Sequence, residues 1–298
     1  PRELLGYRQV RQDGVLRRMS DETKFDLTYI CLGAGVQSTA LLLMSNKGLY
    51  GVPKAEVAVF ADTMTEPPWV YDHLEKLKEL SDIPIHTVSA GNLKDDSLYG
   101  KPGLNKLGEP HKKFVTIPVF GLNPDGTKSL LRRQCTREYK IDPLERFIRK
   151  HLGYKPRQRI KESACALMGI SVEEASRMKP SRTRWVTNEY PLVDARIDRN
   201  KCHRVIEEHG WPRTQKSSCT FCPFHSDSWF KDLKEKHPDL WDEVVEFDHA
   251  IRNMSRKGAE YPIFIHKSCK PIDEVDFTHG GQLEFGFING CDEGHCGV

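Results

Sequence analysis

Apolar positions along the chain fall into short blocks whose spacing changes from one block to the next. Leu27 to Leu32, "LTYICL", is a continuous apolar run too short for a helix, which predicts a strand buried on both faces. After Gly33 and Gly35 the run resumes, and Ser38–Ser45 reads as an apolar helix. "AEVAVFADT" (Ala55–Thr63) predicts a second strand ending in a polar tip. In Glu66–Leu80, Trp69, Val70, His73, Leu74 and Leu77 share one helical face, with prolines in the first turn. "IPIHTVSA" (Ile83–Ala90) predicts a third strand. Strand–helix–strand–helix–strand with short joins implies right-handed crossovers and a doubly wound parallel α/β sheet.

Beyond the third strand the pattern loosens. Residues 91–128 are rich in glycine and lysine and lack a period, the signature of a long loop or lid. A helix is expected from Asp142-Pro143 through "PLERFIRKHL", with Asp142 as its N-cap. A further helix is opened by Asp198 and ended by Gly210, and two more follow the polar "SSCTFCPFH" segment. Residues 1 to about 24 form a charged lead-in without a period. The expected organisation is an α/β domain over residues 25–160, with a C-terminal helical, cysteine-rich part over 161–298 packed on it.

Composition narrows this only at one point. The chain is 38% hydrophobic and 29% charged with a net charge of +3, an ordinary balance for a globular protein that neither requires nor excludes nucleic acid. No apolar run is long enough to cross a bilayer, and "PRELLGYRQVRQDGVLRRM" lacks the apolar centre of a secretion signal, so the expected location is the cytoplasm, with no membrane partner. The nine cysteines are the departure. In a reducing compartment an odd, high count argues for metal or catalysis over a disulfide framework. Cys31, in a strand, and Cys165, between alanines, are read as buried thiols, and Cys202 in a helix-like and Cys269 in a strand-like context are also read as packing.

Three segments carry candidate chemistry. Gly33 and Gly35 let the backbone approach an anion, the helix start supplies free N–H groups, and Ser38 and Thr39 can add hydroxyl donors. Asp62 and Thr63 at the next strand tip would face the same crevice. Read alone, the loop also suits a plain β–α turn. "LRRQCTREYK" sets Arg132, Arg133, Arg137 and Lys140 around Cys135, a pattern that suits an anion or a solvated surface and that favours a thiolate. Cys219 and Cys222 form a C-x-x-C that fits a redox pair, half a zinc site, or two iron–sulfur ligands. Cys135 is the best third ligand, and Cys291 or Cys296 in the tail a fourth, with His225 and His295 as possible nitrogen donors. Trp229, Phe230, Leu233, Trp241, Val244, Val245 and Phe247 recur at helical spacing and read as packing. "KPSRTRW" (Lys179–Trp185) reads as a solvated loop that could touch a nucleic-acid backbone.

These segments, in this order, resemble the PP-loop ATP pyrophosphatase (adenine nucleotide alpha-hydrolase) superfamily. "GAGVQS" resembles its S-G-G-x-D-S loop. "FADTMTEPPWVYDHLEKL", "RRQCTREYKIDPL" and "YPLVD…VIEEHGWP…CTFCPF" resemble segments of its phosphoadenosine phosphosulfate reductase branch, so that the likeness covers about residues 27–230. More distantly, the chain is similar to the DNA phosphorothioation sulfurtransferases. The resemblance implies a bound adenine nucleotide, ATP or a relative, with Mg²⁺, held by Gly33, Gly35, Gln37, Ser38, Thr39, Asp62 and Thr63. It assigns Cys135, Arg133 and Lys140 to catalysis. It implies a [4Fe–4S] cluster, with zinc as the alternative, on Cys135, Cys219, Cys222 and Cys291 or Cys296. Gln37 departs from the pattern, because nucleotide-cleaving members carry Asp there and a glutamine cannot neutralise a metal ion. The activity implied is sulfur transfer to an adenylated acceptor, with a cysteine desulfurase or thiol reductant as sulfur donor and a tRNA, DNA or small molecule as acceptor. The alternatives are a thiol-dependent sulfonucleotide reductase and a non-catalytic nucleotide-binding module with structural zinc.

Overall fold

In the computed structural model, the described residues are 24–105, 107–114, 117–254 and 261–277, with the backbone of Tyr7–Val10 and Leu16–Arg18. Five strands form the central parallel sheet: β1 (Leu27–Leu32), β2 (Val57–Asp62), β3 (Ile85–Ser89), β4 (Ala164–Met168) and β5 (Val186–Glu189), in the order β5-β4-β1-β2-β3. The order reverses between β1 and β4, so the loops leaving these two strands diverge and open a crevice at their carboxyl ends. The expected boundary at 160/161 falls inside this sheet, since Ile30 in β1 pairs with Leu167 in β4.

Both faces of β1 are covered, which is why its sequence is apolar without alternation. Ile30 and Leu32 pack with α1 (Val36–Lys47), while Leu27, Tyr29 and Cys31 face α3 (Asp142–His151) on the other side. Every residue of α1 from Val36 to Ser45 is buried, because the sheet lies beneath it and α4 (Arg199–Glu208) packs across it. Complete burial of Leu41, Leu42, Leu43 and Met44 contributes about 1.5–3 kcal/mol each. The polar members of α1 act as ties. The Ser45 hydroxyl donates to the Pro53 carbonyl and accepts from the Ala55 amide, both at 2.8 Å, fixing the run into β2. Thr39 Oγ1 meets His73 Nε2 of α2 (Pro68–Leu80) at 2.9 Å.

A second apolar core gathers α5 (Asp227–Lys236) and α6 (Pro238–Ile251) with Ile117, Val119, Ile263 and Ile272. Trp229, Phe230, Leu233, Trp241, Val244, Val245 and Phe247 all pack here, as their spacing predicts. Asp248, fully buried, holds the C-terminal segment by accepting from the Ile265 and Ile272 amides and from Arg252.

Four local expectations change. The 91–128 stretch is not a bare loop: Asn92 caps a short helix over Leu93–Leu98, Lys101–Leu104 pairs with Pro110–Lys113 as a hairpin, and Phe120–Leu122 pairs with Lys128–Leu130. Asp142 is not an N-cap, because a π-helical turn over Thr136–Ile141 runs unbroken into α3 and Arg137 pairs with Asp142 at 2.6 Å. Cys269 lies in a turn with φ +58° and not in a strand. Tyr7–Val10 and Leu16–Arg18 of the lead-in form an antiparallel pair.

The close approach at the switch point rests on Gly169, just after β4. A Cβ there would meet the Cα and amide nitrogen of Ser38 at 2.9 Å, backbone atoms that cannot rotate aside. Gly169→Ala is therefore expected to push α1 from the sheet and lower the thermal midpoint by several degrees. An unchanged melting curve in the Ala variant would contradict this.

Candidate functional site

The Gly33–Gly35 loop joins β1 to α1 at the carboxyl end of the sheet and is buried throughout. Ala34 takes a left-handed conformation (φ +55°), which costs a non-glycine residue about 1 kcal/mol. Gly35 precedes α1 without a side-chain cap, and no acidic residue lies in the first turn, so this helix start is set up to favour an anion. The Ser38 hydroxyl closes the loop on itself, accepting from the Gly33 amide at 3.3 Å and donating to the Gly35 carbonyl at 3.1 Å. Ser38 and Thr39 thus hold the loop and α2, the hydroxyls that the sequence offers as ligand donors being already engaged.

Gln37 reaches across the crevice. Its Nε2 donates to Ser171 Oγ and to Glu174 Oε2, each at 3.4 Å, and Glu174 is paired with Arg177 at 2.6 Å. The sequence reading missed Gly169, Ser171 and Glu174. Their signal is "MGIS" after the apolar strand, a second strand–glycine–serine join echoing the first.

The thiol segment closes over the same end of the sheet. Thr214 Oγ1 donates to the Ala34 carbonyl at 3.2 Å, tying this segment to the glycine loop. Thr63, at the tip of β2, sits 3.2 Å from Cys219 Sγ, and the Thr220 amide and hydroxyl both donate to the Thr65 carbonyl. The Arg133 guanidinium lies 5.1 Å above the Phe224 ring. Cys135 and Cys219 edge the same apolar cluster. Beneath them, Lys140 meets Glu66 at 3.6 Å, and Ser217 donates to the other Glu66 oxygen at 3.1 Å. Asp62 accepts from the Met64 amide at 2.7 Å and from the Tyr71 hydroxyl at 2.9 Å, which orients its carboxylate at the strand tip. Glu66 was not foreseen from the sequence, where "TEPP" reads only as the start of a helix.

Burial, reinforced by the Glu66 carboxylate, pushes the Cys219 thiol well above its ordinary range, against a smaller opposite pull from Lys140. Cys219 rests as a thiol. His225 is neutral, with burial lowering its pKa to about 3. Its Nε2 lies 2.9 Å from the Cys219 carbonyl and its ring stacks flat on Trp229 at 3.3 Å, so it braces the loop through backbone. The described cysteines form no disulfide. Among the described residues, no three His, Cys, Asp or Glu side chains are arranged to hold a metal ion. Cys135, Cys219 and Cys222 therefore do not fit a cluster or zinc site by themselves, although a bound metal would strip the thiol protons. Cys291, Cys296 and His295 lie outside the described residues.

No family model matches the chain. No curated protein matches it either. Among the solved structures it is similar to phosphoadenylyl-sulfate (PAPS) reductase from Candida auris, crystallised as a phosphate complex, with a TM-score of 0.38 and 17% identity over 64% of this chain and 76% of that one. No helix among the described residues is long and apolar enough to cross a membrane.

Two buried histidines give the site a pH dependence. Burial lowers His73 to about 4 and His225 to about 3, from an ordinary 6.5. Between those values and 6.5 the unfolded chain binds more protons than the folded one, so stability is complete above pH 6.5 and is lost as pH falls. Each histidine contributes a slope of at most about 1.4 kcal/mol per pH unit. Urea midpoints are expected to drop between about pH 7.5 and 5, and the His73→Gln/His225→Gln variant should lose much of that drop.

Proposed function

We propose that the chain is an adenine-nucleotide-dependent sulfurtransferase. The nucleotide phosphates sit at the start of α1, and a cysteine of the Cys135–Cys222 region carries the transferred sulfur. The observation that supports this best is convergence. The glycine loop, the Arg133–Lys140 segment and the C-x-x-C loop are widely separated in sequence, yet they meet at the carboxyl end of β1 and β2 through Thr214–Ala34, Thr63–Cys219 and Arg133–Phe224. The order of the sequence motifs, resembling PP-loop pyrophosphatases, points the same way.

In this reading an acceptor oxygen attacks the α-phosphorus of ATP and pyrophosphate leaves. The outer sulfur of a cysteine persulfide, loaded by a cysteine desulfurase, then displaces AMP from the adenylated acceptor. A second thiol of the region attacks the resulting mixed disulfide and frees the thiolated acceptor, and a thiol reductant reduces the cysteine disulfide left behind. The uncapped start of α1 supplies the positive end of a helix dipole to the phosphates. Arg133 is the cation that flanks the thiol loop. Lys140 is buried under that loop, where its charge eases ionisation of Cys219. Cys219 is held protonated at rest, and Cys135 and Cys222 are the other two candidate carriers. Gln37, braced against Glu174, positions the loop mouth, and Glu174 brings a carboxylate beside the place where an acidic residue is expected. A [4Fe–4S] cluster or zinc completed by Cys291 or Cys296, and Mg²⁺ at Asp62, remain part of the proposal.

The test begins with protein purified without oxygen and analysed for iron, sulfide and zinc. Pyrophosphate release from ATP is then followed, with sulfite release from adenylyl sulfate in a parallel assay. Slow, acceptor-stimulated pyrophosphate release is expected, and sulfur incorporation into the acceptor should fall at least about tenfold in Lys140→Met and in Cys222→Ser while pyrophosphate release persists. Sulfite release without pyrophosphate release would replace sulfur transfer by sulfonucleotide reduction. Nucleotide binding with neither product, from a protein holding one zinc, would leave only a binding module.

A further inference from the structure

The π-helical turn at Thr136–Ile141 has a second side. Away from the thiol loop, a cavity of about 610 Å³ opens between this turn, α3, the Lys101–Lys113 hairpin and the Thr183–Trp185 segment. Five cations line it: Lys101, Lys113, Arg137, Arg146 and Arg149. Three acids share the lining and are answered locally. Lys113 holds Glu138 at 2.8 Å, Arg137 holds Asp142 at 2.6 Å and Glu145 at 3.6 Å, and Thr183 donates to Glu145.

The cavity lies in a field of further positive charge. From Lys128 to Arg184 the chain carries sixteen Lys and Arg against six Asp and Glu, although the whole chain nets only +3. Arg146 to Lys161 includes seven cations and no acid. Arg149 donates to the Lys155 and Gln158 carbonyls, which folds this basic stretch back onto the cavity wall. Arg146, Lys155, Arg157, Arg159 and Arg184 are exposed. The cations that line the cavity stand close together, and an anionic partner would relieve their mutual repulsion.

We propose that this face binds the sugar-phosphate backbone of a single nucleic-acid strand. Three features select that partner. The cations line a concavity, which a strand enters and a flat bilayer does not. Arginines outnumber lysines among the lining cations, and their planar fork matches phosphate oxygens in pairs. Half-buried Trp185 lines the same cavity, and an aromatic ring is the kind of group on which an unpaired base stacks. A duplex is too broad to enter a space of this size. The binding needs no nucleotide chemistry; only the further step of calling the strand the acceptor rests on the function proposed above.

The experiment is fluorescence anisotropy of the full chain without ATP. Probes are labelled single-stranded RNA and DNA of about 15 nucleotides, the corresponding duplex, and phosphatidylserine vesicles, between about 50 and 200 mM salt. Wild type is expected to bind the single strands in a salt-dependent way. The variant Arg146→Ala/Arg157→Ala/Arg159→Ala/Arg184→Ala should weaken binding at least about tenfold and reduce the slope of log K against log salt by about 3. Lys76→Ala/Lys231→Ala, exposed cations on α2 and α5, should match wild type. If the fourfold variant does not melt like wild type, Arg146→Glu and Arg184→Glu are measured singly, each expected to weaken binding. RNA and DNA binding alike support the proposal, and any preference names the source of the strand. It is overturned by no saturable single-strand binding, by unchanged affinity in the arginine variants, by tighter binding of duplex, or by binding to vesicles alone.

Discussion

Backbone meets backbone where β1 and β4 part. Gly169 lies so near the first turn of α1 that a single methyl group would strike Ser38 at 2.9 Å. A parallel sheet whose strand order reverses leaves a wedge-shaped gap at that point. The missing side chain lets the loop after β4 close the gap from one side, and Gln37 braces it from the other through Ser171 and Glu174. The position of α1, and with it the direction of its dipole, follows from this approach. So does the height of Ala34, whose carbonyl anchors Thr214 and the thiol segment. The close approach that Gly169 permits thus helps set how the start of α1 stands relative to the thiol segment.

The thiol loop is held by an unusual foundation. Glu66 and Lys140 have side chains only 1% and 9% exposed, and taking two charges out of water costs several kcal/mol each before their attraction is counted. A pair of apolar side chains would hold the two elements together at no such cost. The pair does something apolar residues cannot: it places charge beneath the thiol. Burial pushes the Cys219 thiol up, Glu66 adds to that rise and Lys140 opposes it. Ser217, donating to Glu66 from the thiol segment itself, couples that balance to the position of the loop. Neutral His225 completes the design by gripping the Cys219 carbonyl without adding charge.

The sequence disclosed what depends on burial and concealed what depends on contact. β1 and α1 were legible because both faces of one and the whole surface of the other are enclosed, leaving uninterrupted apolar runs. The Asp198 cap and the turn at Gly210 were legible because capping is a local interaction. The hairpin Lys101–Leu104 with Pro110–Lys113 was not, because it stands largely in solvent and no alternation marks either strand. Asp142 misled for a related reason. Asp-Pro is a sound helix start, and only the tertiary placement of Thr136, Tyr139 and Lys140 against the core carries the helix further back. In the glycine loop, the Ser38 hydroxyl bonds the loop itself and the Thr39 hydroxyl meets His73, contacts that no spacing rule reveals.

One helical stretch links the two halves of the chemistry. From Thr136 onward its buried side, with Tyr139, Lys140, Leu144 and Ile148, faces the sheet and the thiol region. Its outer side, with Arg137, Arg146 and Arg149, forms a cavity wall. A helix is about 10–12 Å across with its side chains, so a strand held in the cavity would lie about that far from Lys140. Arg137, paired with Asp142 and Glu145, ties the π-helical turn to α3, and the same turn carries Lys140 on its other side against Glu66.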